Sequence, residues 1–306
     1  MDEPAIEVEG LAKRFGSTRV LEDVTFKVPC GQTFAFLGRN GAGKTTTILM
    51  LLGLLRASAG RVRVLGLDPR RQAMEIRRRV GYVAEEQVMF GWMRVSQILS
   101  FIAPFYPKWD PDYAQELAQR FELPMKHRVN HLSKGQNRRL ALLLALAHRP
   151  ELVILDDPTL GLDPIMRKEF LRDIVEHLQG RGVTVFFSSH LLYEIEPVAD
   201  VVAILDRGVI VKQSATEQLR EEAKQLVMSL EDYNKVGGFP GTLDVKRDGN
   251  RVAVVVENAD AALTVARAAS VKPQVSGLNL DEIFEAYVIG RTDGQVGPKP
   301  AVERVA

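Results

Sequence analysis

The chain has a single cysteine, Cys30, in 306 residues. No internal disulfide can form, and a reducing compartment is expected. Charge of one sign is also missing: 40 Lys and Arg face 39 Asp and Glu, for a formal net charge of +1. That balance gives no support to a binder of nucleic acid or another polyanion. Long apolar runs are absent as well. The most apolar short stretch, residues 140–147, falls well below the ~20 residues needed to cross a bilayer. Met1, Asp2, Glu3 and Pro4 are acidic overall and do not read as a signal peptide. No internal repeat is visible. Any role at a membrane is therefore expected to run through a partner. The hydrophobic content, 46%, suffices for a sizeable core. The length suits one large domain, or one large and one small.

Strand signals come first along the chain. Ile6 and Val8 alternate with acids, and Val24, Phe26 and Val28 alternate with Thr25 and Lys27. Residues 33–37 predict a short apolar strand running into a glycine-rich loop. Residues 43–55 are apolar almost all round, which predicts a buried helix. Prolines at 104, 107, 111 and 124 cut residues 88–146 into short, mostly helical pieces. Residues 113–123 show apolar side chains at helical spacing. Strand and helix then alternate again. Residues 152–155 form an apolar strand, and Met166, Phe170, Ile174 and Leu178 mark one face of an amphipathic helix. Residues 183–187 are another buried strand, and Asp206, Arg207 and Gly208 sit at a hairpin. The pattern predicts an α/β fold with a largely parallel central sheet. Beyond about residue 223 the character changes. Val252, Val254 and Val256 alternate after a turn at Asp248, Gly249 and Asn250, and helices are predicted over 260–269 and 280–287. These predict a small α+β accessory domain over 223–290. Residues 291–306, rich in Gly, Pro and charge, are expected to be disordered.

The chemistry concentrates at two places. Gly38, Arg39, Asn40, Gly41, Ala42, Gly43, Lys44, Thr45 and Thr46 follow a strand and open a helix. Glycines at 38, 41 and 43 let backbone N–H groups converge on phosphate oxygens, and the helix adds its positive end. Lys44 can reach the β- and γ-phosphates, and the Thr45 hydroxyl suits Mg²⁺. The second place is the end of the 152–155 strand, where Asp156 and Asp157 stand. Open α/β sheets place their chemistry outside the carboxyl ends of strands. Asp156 suits Mg²⁺, directly or through water, and Asp157 can polarise the water that attacks a γ-phosphate. Read alone, Asp157 serves equally as a helix cap before Pro158. Phe15, ahead of the loop, reads either as a packing residue or as a stacking platform for adenine.

Between these two places lies Leu132, Ser133, Lys134, Gly135 and Gln136. Taken with Gly81 to Glu85, with Leu160, Gly161, Leu162 and Asp163, and with His190, the ordered set resembles the ATP-binding subunit of ABC transporters over residues 4–222. The resemblance implies a P-loop NTPase core, an N-terminal antiparallel β subdomain and a helical signature subdomain at about 88–146. It implies ATP and Mg²⁺ as ligands. It also implies a head-to-tail pair of such domains, a homodimer in preference to a heterodimer. ATP held by Lys44 of one subunit would be covered by Ser133, Gly135 and Gln136 of the other. Phe15 would then stack on adenine, His190 would orient the attacking water, and Asp163 would link the two sites. The partners implied are integral membrane permease subunits, with the chain on the cytoplasmic face of the membrane and no nucleic acid bound. Residues 280–287 resemble the end of exporter-type subunits.

The sequence departs from the family pattern in three places. Glu85 stands where a glutamine is usual, with Gln87 two residues on, so either can serve as the Gln-loop residue and metal ligand. Lys134 stands where glycine is commonest. Asp157 replaces the usual Glu, which predicts slow hydrolysis. Met89, Phe90, Trp92 and Met93 follow the loop where the family docks a membrane subunit. They read as core or as a docking surface. Two other functions fit the motifs: a soluble ABC ATPase acting on nucleic acid or ribosomes, and a weakly hydrolysing regulatory subunit.

Overall fold

A computed structural model describes residues 3–86, 88–159, 167, 171, 175, 177–189 and 196–290. Gln87, Leu160, Gly161, Leu162, Asp163, Met166, Phe170, Ile174, His190 and the 291–306 tail lie outside the described residues. Two compact units divide the chain. The first holds residues 1–190 and 197–210, the second 191–196 and 211–306.

The first unit opens on an antiparallel sheet. Strands β1 (Ile6–Phe15), β2 (Thr18–Val28) and β4 (Ala59–Val64) pair in the order β2-β1-β4. The alternation read at Ile6, Val8, Val24, Phe26 and Val28 is real, and all five are buried. The central sheet is built from β3 (Thr33–Gly38), β5 (Val80–Val83), β6 (Leu152–Asp156), β7 (Thr184–Ser189), β8 (Val201–Asp206) and β9 (Val209–Ala215), in the order β5-β6-β7-β3-β8-β9. The pairs β5–β6, β6–β7, β7–β3 and β3–β8 are parallel. Their near-continuous burial is what a sheet covered on both faces demands. The fold is therefore α/β, as the sequence predicts.

Four phenylalanines join the two sheets. Phe26 of β2, Phe34 and Phe36 of β3 and Phe186 of β7 pack with ring centroids 5.3–6.0 Å apart. Aromatic pairs at that spacing add attraction beyond area burial. They fix β3, and so fix where its carboxyl end delivers the glycine loop.

Helix α1 (Lys44–Leu51) follows that loop. It is shorter than the apolar run 43–55 predicted. Gly53 turns the chain at φ 67°, and a Cβ there would meet the Pro69 carbonyl oxygen at 2.5 Å. The apolar residues beyond it belong to a turn, and Leu54 is exposed. Helix α2 (Ala73–Arg79) precedes β5. Between β5 and β6 the elements are helical: α3 (Val95–Ile102), α4 (Pro111–Arg120) and α5 (Lys134–Leu146), with single 3-10 turns at Ala103–Phe105 and Val129–His131. Asp110 caps α4 by accepting from the Tyr113 N–H, with Pro111 in the first turn. Leu178, the described residue of the predicted apolar face, is buried, as are Leu171 and Val175.

His148, just past α5, is 1% exposed and stacks on Tyr106 at a centroid distance of 4.1 Å. Neither ring nitrogen makes a hydrogen bond of good geometry. Burial pushes its pKa down to about 4, against a smaller upward pull from backbone groups of Val80 and Leu144. The unfolded chain therefore binds a proton that the folded chain refuses between about pH 6.5 and 4. The stability this neutral ring contributes is full above pH 6.5 and is lost as pH falls toward 4. Melting curves of wild type and His148→Leu should diverge in slope across that window, with the variant the flatter. Parallel curves would show that His148 is not the titrating group.

The second unit has its own sheet. Strands β10 (Lys224–Ser229), β11 (Thr242–Asp248), β12 (Arg251–Val256) and β13 (Gln274–Gly277) pair antiparallel in the order β11-β12-β10-β13. Leu226, Val252, Val254 and Val256 pack with Ala262 and Ala266 of the helix Ala259–Ala268. A further helix, Leu280–Val288, opens on a capping box between Asn279 and Glu282. Its Tyr287 hydroxyl donates to Glu257, which also pairs with Lys212 at 2.9 Å.

Candidate functional site

The central sheet delivers its polar residues to one edge. Register places Leu37 beside Ser189 and Asp156 beside Ser188. The glycine loop leaves β3 and the two acids leave β6 at the same, carboxyl, ends of parallel strands.

Gly43 is the N-cap of α1 with φ 111°, and a Cβ on it would lie 2.5 Å from Leu21 Cδ2. Gly41 has φ 80°, and a Cβ on it would meet nothing within 4 Å. The first glycine is demanded by packing. The second leaves open space over the backbone, as an anion cradle requires. Arg39, Asn40 and Gly41 are exposed, Ala42 and Gly43 are buried, Thr46 is half-buried, and Thr45 is exposed at the first turn. The first turn of α1 carries no acid, so its positive end is available to a phosphate.

Lys44 is 6% exposed. Its ammonium donates to the Gly38 carbonyl at 2.9 Å and the Arg39 carbonyl at 3.4 Å. Burial holds its pKa below the usual lysine value, while Asp157, Asp156 and Glu85 each pull the other way. Three of the predicted acids thus surround the predicted lysine.

Asp156 is 1% exposed. One carboxylate oxygen accepts the Ser188 hydroxyl. The other, Oδ2, is buried without a hydrogen bond. Burial raises the Asp156 pKa, opposed by hydrogen bonds from Ser188 and Thr45. A buried, unpaired carboxylate oxygen beside a threonine hydroxyl is a donor set that fits a hard divalent cation. Asp156 and Thr45 are therefore the residues that would hold Mg²⁺.

Asp157 is 4% exposed and sits in the left-handed region at φ 43°. Its N–H is shared between the Ser188 carbonyl at 3.1 Å and the Ser188 hydroxyl at 3.3 Å. An N-cap residue has extended backbone, so this geometry does not suit the capping alternative. Phe15 is 48% exposed at the end of β1, with the Lys13 ammonium 4.6 Å over its ring. About half of the side chain is exposed, and Lys13 covers one face of its ring.

Ser133 is the N-cap of α5. Its hydroxyl accepts from the Gln136 N–H at 3.1 Å, and Gln136 Oε1 accepts from the Ser133 N–H at 3.0 Å. This reciprocal cap explains the Ser and Gln spacing. Gly135, inside the first turn, is half-buried. The structure brings Lys44, Thr45, Asp156, Asp157 and Glu85 together. His190 and Asp163 lie outside the described residues. Sequence reasoning missed Ser188, which touches both acids, and Arg138, whose guanidinium lies among the same carboxylates. Arg138 left one signal: it is a charged residue on the face of α5 that buries Ala141 and Leu142.

A strand, a glycine loop and a helix with a buried lysine, beside a strand-end acid, define a P-loop nucleoside triphosphatase fold. Comparison with known proteins narrows the class. The family model described as "ABC transporter" matches residues 21–160. The bacitracin transport ATP-binding protein BcrA of Bacillus licheniformis is 36% identical over 233 residues, covering 75% of this chain and 76% of that protein. The daunorubicin resistance ATP-binding protein DrrA3 of Streptomyces coeruleorubidus is 34% identical over 227 residues, 72% of each chain. A solved structure of an ATP-binding subunit of an ABC transporter aligns with TM-score 0.64 at 28% identity, covering 71% of this chain and 92% of that one. The chain belongs to the ABC transporter family of ATP-binding proteins. Membership brings ATP binding and ATPase activity with it. Among the described residues, no helix is long and apolar enough to cross a membrane.

Proposed function

We propose that this chain is the ATPase subunit of an exporter-type ABC transporter, in which two copies close head to tail on ATP beneath separate membrane subunits. Residues 4–222 would form the ATP-binding domain, with its helical subdomain at about 88–146, and 223–290 the accessory domain. Similarity to proteins of bacitracin transport and daunorubicin resistance supports the exporter assignment. The loop N–H groups and Lys44 would bind the β- and γ-phosphates. Mg²⁺, when bound at Thr45 and Asp156, supplies charge neutralisation to the phosphates. Asp157 would take the proton of the attacking water, and His190 would orient that water. Ser133, Gly135 and Gln136 would cover the nucleotide of the other copy with the positive end of α5.

The observation that carries the membrane assignment is an apolar groove of about 310 Å³ beside the Glu85 loop. Leu54, Val88, Phe90, Ile98, Ile102 and Tyr106 are among its lining residues. Phe90 is 49% exposed and Trp92, close by, 66%. Exposed apolar side chains gathered at one groove suit an amphipathic helix of a partner. The test is purification of the tagged chain from detergent-solubilised membranes of its own cells. Wild type should bring down integral membrane subunits, and Phe90→Asp should lose most of them while still binding ATP. Equal recovery with both forms, or recovery of nucleic acid and ribosomes alone, would defeat the proposal.

A further inference from the structure

Helix α5 buries one arginine. Arg138 is 6% exposed. Its Nη1 donates to the Ala84 carbonyl at 3.0 Å and its Nη2 to the Glu85 carbonyl at 2.6 Å. A planar guanidinium fork matches two successive carbonyls in a way that a lysine ammonium cannot. Burying a cation is costly unless charge and hydrogen bonds compensate. Here Asp157, Glu85 and Asp156 supply the charge, and the two carbonyls supply the bonds.

The positions of the two ends give this contact its meaning. Ala84 and Glu85 directly follow β5, and Val88, a few residues on, already lines the apolar groove. Arg138 lies five residues from Ser133, the cap of α5, or about 7.5 Å along a helix axis. A helix is a rigid element, so a displacement at its start reaches Arg138 nearly undiminished.

We propose that Arg138 is a positioning residue, a strut through which the helix opening at Ser133 sets the place of the Ala84–Glu85 loop and of the groove beyond it. The proposal rests on the reading that ATP held by a second copy binds at Ser133. In that case closure of the pair pulls on α5, and Arg138 passes the pull to Glu85 and to the docking groove. Site occupancy in one copy and the surface that meets the membrane partner are then joined by a single side chain.

Hydrogen–deuterium exchange of the full-length chain tests this, with a fluorescent ATP analogue as the binding probe. Arg138→Met removes both donors while keeping the apolar stem. It should speed exchange over residues 84–93 by about tenfold, the loss of a charge-assisted hydrogen bond. Exchange in β3 and α1 and the affinity for the probe should stay at wild-type levels. In steady-state hydrolysis kcat should fall by more than KM rises. Arg138→Lys, which can hold one carbonyl, should fall between the two. Unchanged exchange over 84–93 in Arg138→Met would overturn the proposal. So would a rise spread equally over β3 and α1, since that marks a general packing defect. A wild-type chain that fails to bind the probe would instead defeat the nucleotide reading, while the exchange of residues 84–93 still decides whether the strut exists.

Discussion

Lys44→Met should lower ATP hydrolysis by ~10²–10³-fold, the usual cost of removing one preorganised charge from a reacting phosphoryl or acyl group. The ammonium is held on the Gly38 and Arg39 carbonyls and is surrounded by Asp156, Asp157 and Glu85. It is therefore positioned before any substrate arrives. The same burial gives a second, opposite expectation for stability. The Lys44 pKa is pushed down because desolvation outweighs the attraction of the acids. A folded-state pKa below the unfolded value means that the fold disfavours the charge at neutral pH. A methionine of similar length removes that penalty. The variant should melt no lower than wild type while losing its activity. Phosphate release and thermal melting on the same preparation check both parts. A rate within tenfold of wild type would exclude Lys44 from the reaction. A large fall in melting temperature would show that its hydrogen bonds to the loop matter more than its burial costs.

The glycine loop was legible because its requirements are local. Open backbone at Gly41, a tight turn at Gly43 and a helix start at Lys44 all follow from neighbouring residues. The cap in which Ser133 and Gln136 satisfy each other across one turn is just as local, but in the sequence that segment was read only as a family signature. What escaped depends on partners far along the chain. Helix α1 ends early because Gly53 lies against Pro69 and Ala73, a contact that apolar periodicity cannot register. Strand β4 was missed because it buries only one residue fully, Val64, and carries Arg61 and Arg63 toward solvent. Arg138 bonds to the carbonyls of Ala84 and Glu85, more than 50 positions away. Backbone carbonyls carry no sequence signal, so such a strut is visible only in three dimensions. Ser188, which bonds the Asp156 carboxylate and the Asp157 N–H, is brought there by the register of β6 against β7.

Asp157 gives the other large expectation, and the two substitutions that test it point in opposite directions. Asp157→Ala should lower hydrolysis by ~10²-fold or more, since it removes the candidate general base. Asp157→Glu should raise it. The aspartate oxygens stop about 1.5 Å short of a glutamate's on the same backbone, and a misplacement near 1 Å can cost ~10²-fold. The gain comes with a defined cost. Asp157 holds a left-handed backbone, φ 43°, fixed by its N–H on the Ser188 carbonyl and hydroxyl. Aspartate tolerates that region better than glutamate, so the longer residue should destabilise the fold by about 1 kcal/mol. On the proposed reading, the chain would keep the acid that suits this backbone at the cost of reach toward the water. Single-turnover hydrolysis and urea unfolding of wild type, Asp157→Ala and Asp157→Glu separate the two effects. A faster but less stable glutamate variant is the expected pair of results. A wild-type rate equal to that of Asp157→Ala would remove Asp157 from catalysis and turn the choice toward the regulatory subunit, whose signature helix serves a more active partner. An unchanged rate in Asp157→Glu would defeat the expectation that the shorter acid slows hydrolysis.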